Sequence, residues 1–362
     1  MHQARFYHSA SLLTNRKVLI TGGALNSVGL NNSELYDPST GNWTTVNKMN
    51  YAGFAHTASV LLNGKVLISG GIMDGFLGVH RAELYDPLTE DWIETASMSH
   101  KRVIHTAAVL PNGKVLVTGG LDHDRIILKS AELYDPSTEN WTITSDMHTT
   151  RSQHTATVLS NGKVLVTGGM DTDDIVLRDA EIYDSSIEMW TNIASMHDNR
   201  TMHTATVLPN GKVRVTGGIS NGSIILKSAE LYDPSTRTWT VTGNMNYERY
   251  GHTASLLTNG KVLIAGGINH NFRGINNVEL YDPSTGDWIT TATMYGERGF
   301  HTASMLLNGK VLVAGGIDHH GITTKTAELY NPTTNTFISL DNIKVFGTNK
   351  KNGMSLNNSK LD

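Results

Sequence analysis

The sequence predicts an all-β protein in which seven copies of one unit close into a ring. A phrase built around His-Thr-Ala, Asn-Gly-Lys-Val, Gly-Gly and Glu-Leu-Tyr-Asp recurs along the 362 residues with a period of 49, which shortens to 48 once. Each copy holds four short β-type segments, and no segment has helical periodicity. The copies are marked by histidines and tyrosines at His8, His56, His105, His154, His203, His252, His301, Tyr36, Tyr85, Tyr134, Tyr183, Tyr232, Tyr281 and Tyr330.

The unit from Ala55 to Met98 illustrates how one copy folds. Its first strand ends at Asn63-Gly64, the strongest two-residue hairpin signal, and the returning strand stops at Gly70-Gly71. A polar loop precedes the third strand, and proline-containing turn chemistry precedes the fourth. The predicted strands A, B, C and D cover residues 55–62, 65–69, 82–86 and 92–96.

Side-chain size indicates how these sheets assemble. Strand A carries the small residues Thr57, Ala58 and Ser59, whereas Tyr85 and Trp92 lie on strands C and D. Small residues suit the axis of a ring, where blades converge, and large rings suit the periphery. We therefore predict a single seven-bladed β-propeller over residues 1–343, with four antiparallel strands per blade, followed by a polar tail at 344–362 that we expect to be disordered. The predicted blades cover about 1–48, 49–97, 98–146, 147–195, 196–244, 245–293 and 294–343.

Each copy also has a glycine pair followed by a tyrosine and, six intervening residues later, a tryptophan. This pattern resembles the kelch repeat from residue 1 to about 343, with Phe337 replacing the last tryptophan. The resemblance implies a β-propeller that usually binds proteins. The residues that carry it, besides the seven tyrosines, are Gly22, Gly23, Trp43, Gly70, Gly71, Trp92, Gly119, Gly120, Trp141, Gly168, Gly169, Trp190, Gly217, Gly218, Trp239, Gly266, Gly267, Trp288, Gly315 and Gly316.

Composition excludes several classes of function. The 29 Lys+Arg against 33 Asp+Glu provide no basic footprint for nucleic acid, and the absence of cysteine excludes disulfides and thiolate chemistry. No run of about 18 apolar residues predicts a membrane span. The start of the chain lacks a signal-peptide pattern, which favours the cytoplasm if the chain is complete and leaves secretion open. We expect a monomer.

The repeat separates two rims. The A–B and C–D turns are near copies in every blade and share one rim, the turn rim. The B–C and D–A loops share the opposite rim, the loop rim, and differ between blades, so a partner-specific surface is expected there. Nine histidines outside the repeat phase all fall in these loops: His2, His80, His100, His123, His148, His197, His270, His319 and His320.

Structural roles in the interior of the blades are expected to explain most of the repeated polar residues. The seven phased histidines could form a metal ring, but hydrogen bonds between neighbouring strands are the favoured interpretation. Six blades place arginine three residues before that histidine, and Gly53 is the exception. These arginines either brace the strand-C glutamates or ring the channel mouth to bind carboxylates, and the two roles are compatible. They are Arg5, Arg102, Arg151, Arg200, Arg249 and Arg298, and the glutamates are Glu34, Glu83, Glu132, Glu181, Glu230, Glu279 and Glu328.

The predicted loop rim is chemically uneven. Aromatic residues collect on blades 6, 7, 1 and 2, whereas acidic residues collect on blades 3 and 4. Aromatic side chains bordered by arginine are typical of protein-binding hot spots. The other aromatic and acidic members are Tyr247, Phe272, Phe6, Tyr51, Phe76, Asp122, Asp124, Asp171, Asp173 and Asp174. The hypothesised binding residues are Arg5, Tyr7, Phe54, Arg249, Tyr250, Tyr295, Arg298 and Phe300.

The sequence favours a binding protein over an enzyme. Without cysteine, the copper-associated Tyr–Cys crosslink of galactose-oxidase-type propellers cannot form, and no nucleophile–base pair is readable. Residues 171–174 and 318–320 offer metal-type ligands without the spacing of a defined calcium loop. We therefore predict a non-enzymatic protein- or peptide-binding scaffold that needs no metal or cofactor. The alternative is a propeller that handles a sugar or small molecule at the channel mouth.

Overall fold

The computed structural model describes residues 1–73 and 77–341 and has the predicted architecture. Seven four-stranded antiparallel sheets form a ring, and each sheet takes its strands A to D from consecutive residues. The one helical element in the described ranges is a short 3-10 segment, Asn221–Ser223. Strand A lies nearest the axis, beside the strands A of both neighbouring blades. The seven strands A are Ser9–Leu12, Thr57–Val60, Thr106–Val109, Thr155–Val158, Thr204–Val207, Thr253–Leu256 and Thr302–Met305.

Strands B and C form the buried middle of each sheet. Every strand B is fully buried because its two faces are covered by the adjacent blades. Strands B are Val18–Thr21, Val66–Ser69, Val115–Thr118, Val164–Thr167, Val213–Thr216, Val262–Ala265 and Val311–Ala314. Strands C are Ser33–Asp37, Ala82–Asp86, Ala131–Asp135, Ala180–Asp184, Ala229–Asp233, Val278–Tyr281 and Ala327–Asn331.

Strand D is the outer edge, and most of its residues are exposed. Its tryptophan is the exception, since it pairs with the strand-C tyrosine, as at Tyr183 and Trp190, whose rings lie 5.0 Å apart. These rings pack against Leu116 and Leu133 of the preceding blade and fill the space where blades diverge. Strands D are Asn42–Val46, Asp91–Thr95, Asn140–Ile143, Met189–Asn192, Thr238–Val241, Trp288–Thr290 and Thr336–Ser339.

The glycine pair begins every B–C loop. In blade 3, Gly119 and Gly120 have φ values of 59° and 93°, in the left-handed region that favours glycine. A Cβ atom at Gly119 would stand 2.2 Å from the carbonyl oxygen of Arg151 in the next blade. Only glycine permits this approach. In three blades the loop then forms a minor hairpin: Ala24–Leu25 with Val28–Gly29, Ile72–Met73 with Leu77–Gly78, and Ile219–Ser220 with Ile224–Ile225.

Among the described residues, blades 7 and 1 share no strand, and side-chain packing and backbone hydrogen bonds close the ring between them. Met1 is buried with Val18 of blade 1 and Leu312 of blade 7. A Cβ atom at Gly315 would lie 3.2 Å from Met1 Cε, just as one at Gly22 would lie 3.1 Å from Met49 Cε. Met1 thus fills the position that a repeat methionine fills at the other junctions. The predicted tail, 344–362, lies outside the described residues.

The two predicted rims are present. Lysine of the A–B turn faces aspartate of the C–D turn, as at Lys163 and Asp184, whose charged atoms are 2.7 Å apart. On the opposite rim, D–A residues bridge to B–C residues, as Ser152 does to Met170. Among the described residues, no helix is long and apolar enough to cross a membrane.

Candidate functional site

A depression of about 480 Å³ opens at the centre of the loop rim, where the axial channel begins. Its wall contains the residue that precedes each repeat histidine, together with Phe54 and Ile72. Five of the repeat histidines lie in its lining. We call the preceding residues the collar: Tyr7, Ala55, Ile104, Gln153, Met202, Gly251 and Phe300.

The collar is a closed ring of backbone hydrogen bonds. The N–H group of each collar residue donates to the carbonyl oxygen of the collar residue in the preceding blade, over distances of 2.9–3.3 Å. The seventh bond, from Tyr7 to Phe300, joins blade 1 to blade 7. All seven residues have positive φ, between 46° and 58°. A left-handed conformation costs a residue other than glycine about 1–2 kcal/mol, so the ring holds six of them under local strain.

The hydrogen-bond ring therefore fixes the collar backbone, while the collar residues differ between blades. Ile104 illustrates the constraint, because a β-branched residue rarely adopts a φ of 46°. Since the ring determines the backbone, the collar side chains project from defined positions around the depression. Most of them are apolar, and Gln153 is the one amide among them. The arrangement can hold an apolar group with one polar contact.

The repeat histidines form the floor. His154 Nε2 shares a hydrogen bond with Thr106 Oγ1 of the preceding blade at 2.8 Å, and equivalent bonds run around the ring, including His8 to Thr302 across the closure. This confirms the predicted bonding between neighbouring strands. Burial lowers the pKa of His56 to about 4 and that of His252 to about 3. The floor is therefore uncharged at neutral pH.

The arginines and glutamates form buried pairs beneath the rim, which confirms the predicted brace. Arg102 Nη2 donates to Glu132 Oε1 at 2.7 Å, and both side chains are fully buried. Glu132 also accepts hydrogen bonds from Ser99 N and His100 N of the preceding D–A loop. Burial by itself raises the pKa of Glu132, but the Arg102 contact and the two N–H donors outweigh it and lower that pKa. The same brace recurs at Arg5–Glu34, Arg151–Glu181, Arg200–Glu230, Arg249–Glu279 and Arg298–Glu328.

This geometry corrects the expectation that arginines border the depression. Arg5, Arg249 and Arg298 are 0% exposed, because each guanidinium is used by its glutamate and by carbonyl groups of its own blade. They are structural, and their charge does not reach the rim surface.

The structure distributes the predicted aromatic residues unequally. Tyr7 and Phe300 lie side by side in the collar with ring centroids 4.5 Å apart, and burial raises the pKa of Tyr7. Tyr250 is 7% exposed and supports Phe300 from below, so it contributes no surface to the depression. Tyr295 is 73% exposed but lies outside the lining. Phe76 lies outside the described residues.

The clustering of unrepeated histidines has a structural cause in part. His148 and His197 donate their backbone N–H groups to the brace glutamates and place Nδ1 within 2.9 Å of the same carboxylates. His2 and His100 occupy similar positions. His270 pairs with Glu248, and His319 pairs with Glu297.

The acidic loops also have a local explanation. Asp122 Oδ1 accepts hydrogen bonds from Asp124 N and Ile126 N, and Asp171 closes its loop in the same way. Asp122, His123 and Asp124 could each place one ligand atom within 4.8 Å of the others, but they are largely exposed and the turn accounts for Asp122.

The collar is the structural element of the candidate site that sequence reasoning missed. Its signal was available, since the residue before each repeat histidine is the one strand-A neighbour that differs in every blade. Nothing in that signal indicates positive φ or a closed ring, because six of the seven residues are not glycine.

Comparisons with known proteins agree with this architecture. Residues 1–223 match the family model described as Attractin/LZTR1 beta-propeller, and residues 249–295 and 298–342 match the Kelch motif. No curated protein matches the chain. A solved structure described as a novel fungal alcohol oxidase of the AA5 family, in complex with copper, has a TM-score of 0.74 at 18% identity. The match covers 88% of this chain and 73% of that chain, and at this identity it shows a shared fold alone. The chain belongs to the Attractin/LZTR1 β-propeller family and carries Kelch motifs in its last two blades.

Proposed function

We propose that this propeller is a non-enzymatic scaffold that binds a protein or peptide on its loop rim. The proposal rests on the structure of the collar. The collar presents a different side chain from each of six blades, and Gly251 in blade 6, on a backbone that the closed hydrogen-bond ring makes rigid. Pre-organisation reduces the entropy lost on binding, so such a surface favours affinity for one partner.

The chemistry of the depression defines the partner's contact. Tyr7 and Phe300 provide a half-buried aromatic wall, and Ile104 and Met202 add aliphatic surface elsewhere in the lining. The neutral histidine floor adds no charge. An apolar side chain anchored in the depression, with a backbone amide facing Gln153, satisfies this arrangement. Central anchors of this kind account for most of the affinity in protein interfaces.

Selection from a displayed peptide library tests the proposal. Peptides that bind the wild-type chain should lose at least tenfold in affinity, about 1.4 kcal/mol, when Phe300→Ala removes the aromatic wall. Tyr7→Ala should have a similar effect. Affinity is measured by titration calorimetry after each variant has shown a wild-type unfolding temperature.

The matched control is Leu62→Ala, since Leu62 is 76% exposed on the turn rim. Peptides should bind this variant as they bind wild type. If Leu62→Ala weakens binding while Phe300→Ala leaves it unchanged, the partner uses the turn rim and the proposal is wrong.

A second candidate is a small-molecule site in the same depression. Its volume of about 480 Å³ lies in the range of ligand pockets, and the copper-bound alcohol oxidase shares the fold. A thermal-shift screen of sugars, alcohols and divalent metals separates the two functions. A saccharide that raises the unfolding temperature of wild type but not that of Gln153→Ala would favour this second candidate.

A further inference from the structure

Blade 2 departs from the other six blades at one interior position. Elsewhere a buried arginine donates to three acceptors of its own blade: the strand-C carboxylate, the carbonyl of the first loop glycine, and the carbonyl two residues before the glutamate. In blade 3, Arg102 reaches Glu132 Oε1 at 2.7 Å, Gly119 O at 2.8 Å and Ser130 O at 3.2 Å. Blade 2 has Gly53 in place of this arginine.

The backbone of blade 2 nevertheless keeps the arrangement found at Arg102. Gly53 N donates to Leu30 O at 3.0 Å, as Arg102 N donates to Val79 O at 3.1 Å. Gly53 O accepts from Gly23 N, as the Arg102 carbonyl accepts from the glycine of its neighbouring blade. Strands B and C of blade 2 also keep the register of blade 3, with Glu83 opposite Ile68 as Glu132 is opposite Val117, so the acceptors that would meet a guanidinium group remain in position.

These acceptors lack the cation that they have in the other blades. Glu83 is 3% exposed and accepts hydrogen bonds from Asn50 and from Tyr51 N, but no positively charged side chain pairs with it in the described residues. Gly70 O receives no hydrogen bond from the described part of the chain. Burial raises the pKa of Glu83, in contrast to Glu132, whose pKa is lowered.

A cavity occupies the position of the missing side chain. The space open to the centre of a water-sized molecule is about 20 Å³, and it is lined by Gly53, Gly70 and Glu83 among others. Its outer edge is formed by Tyr51 and Arg81, whose guanidinium carbon lies 4.1 Å from the Tyr51 ring centroid. His56 and Ile72 separate it from the central depression.

We propose that this cavity binds a guanidinium group, supplied by a small guanidine or by an arginine side chain of a peptide. A guanidinium is planar and always charged, and six blades of the same chain show it bound to the same three acceptors. The buried carboxylate supplies the charge complement, and the carbonyls define the plane. Free guanidinium can occupy this cavity without a protein partner, so the site is independent of the proposed function.

Thermal unfolding of the full chain in 20 mM guanidinium chloride is the test. Wild type should unfold about 1–2 °C higher than in 20 mM sodium chloride or tetramethylammonium chloride, because ligand binding stabilises the folded state. This concentration is about a hundredfold below the molar range in which guanidinium denatures proteins. Gly53→Arg should remove the response by filling the site.

A Cβ atom at residue 53 would stand 3.2 Å from Ile72 O, so Gly53→Arg needs a small shift of the backbone. Two further variants test the site if Gly53→Arg folds poorly. Glu83→Gln removes the carboxylate charge and should also abolish the response. Arg151→Gly copies the blade 2 arrangement in blade 4, and guanidinium should partly restore its lowered unfolding temperature.

Comparison of methylguanidinium with N-acetyl-arginine amide distinguishes the two sources. Stronger stabilisation by the arginine derivative indicates a peptide ligand, and stronger stabilisation by methylguanidinium indicates a small guanidine. Equal changes in unfolding temperature in wild type, Gly53→Arg and Glu83→Gln would overturn the proposal, as would no change in wild type. A response that appears only in Arg81→Ala would also overturn it, because Arg81 would then be the occupant.

Discussion

The two rims of the propeller use repetition differently. On the turn rim, lysine–aspartate contacts recur in five blades, with charged atoms 2.7–3.6 Å apart, and the turns are nearly identical in sequence. On the loop rim, the collar residue differs in every blade, while the arginine–glutamate brace beneath it is repeated in six blades. Both rims are thus repetitive in their local structure, but only the loop rim varies at the surface.

This difference separates support from specificity. A repeated buried contact serves the blade, because the same local geometry needs it each time. A position that varies over a repeated support is free to contact a partner without cost to the fold. We therefore expect repeated buried contacts to stabilise the fold and repeated exposed contacts to contribute very little stability.

The largest effect is expected where a repeated contact is fully buried. Glu132→Ala should lower the free energy of unfolding by about 3–5 kcal/mol, because it leaves the buried Arg102 charge without its carboxylate and two N–H groups without their acceptor. Denaturant titration at pH 7 measures the change.

Glu83→Ala is the matched control for Glu132→Ala. It also removes a buried brace carboxylate, but blade 2 has no arginine at this position to leave unpaired. Its cost should be smaller than that of Glu132→Ala. Equal costs would mean that the loop N–H groups, and not the arginine, determine the contribution of the brace.

Replacement of a buried residue that departs from the repeat should instead raise the free energy of unfolding. Arg214 stands where strand B of the other blades has leucine, is 1% exposed, and has no carboxylate partner among the described residues. Its guanidinium carbon lies 3.3 Å from the Tyr281 ring centroid, and burial lowers its pKa to about 10. Replacement of a buried charge by a hydrophobic residue of similar volume is often stabilising.

Arg214→Leu should therefore raise the free energy of unfolding by about 1–2 kcal/mol. The reciprocal variant, Leu165→Arg, should destabilise the chain. A loss of stability in Arg214→Leu would show that the cation–π contacts with Tyr281 and Trp288 outweigh the desolvation of the charge.

The histidine floor predicts a pH dependence. Burial lowers the pKa of His252 to about 3, whereas an unfolded histidine has a pKa near 6.5. Below pH 6.5 the unfolded chain takes up a proton that the folded chain does not, so this stability is full above pH 6.5 and is lost as the pH falls toward the folded pKa. His252→Gln should reduce the loss between pH 6.5 and 5.5 by about 1 kcal/mol, measured by denaturant titration at both values. An unchanged slope would mean that His252 is protonated in the folded state.

Repetition explains how much of this molecule the sequence predicts. The strands, blade number, two rims and arginine–glutamate pairing follow from residues that recur at one phase, since seven copies of a pattern separate structural residues from chance. Gly53 was visible as the one exception to the arginine phase. The empty space beside Glu83 was not, because it depends on whether the backbone collapses around the missing side chain.

The features that the sequence does not predict depend on geometry that single residue types do not encode. Positive φ at Tyr7 or Ile104 has no local signal, since ring closure and not residue preference imposes it. The arginines were placed at the correct phase, but their burial depends on how deeply the D–A loop enters the blade. The Tyr250 ring is oriented inward by the same loop, so its aromatic character alone predicted a surface role wrongly.

The smallest effect is expected on the turn rim. Lys163 Nζ lies 2.7 Å from Asp184 Oδ2, but the lysine side chain is 37% exposed, and solvent screens such a pair. Asp184 is also held by Ser186, whose N–H and hydroxyl groups both donate to Oδ1. Lys163→Ala should therefore change the free energy of unfolding by no more than about 0.5 kcal/mol and leave peptide binding unchanged. Asp184→Ala, which also removes the turn hydrogen bonds, should cost more than Lys163→Ala. If Lys163→Ala proves as costly as Glu132→Ala, repetition alone would predict stability, and the distinction between buried and exposed repeated contacts would fail.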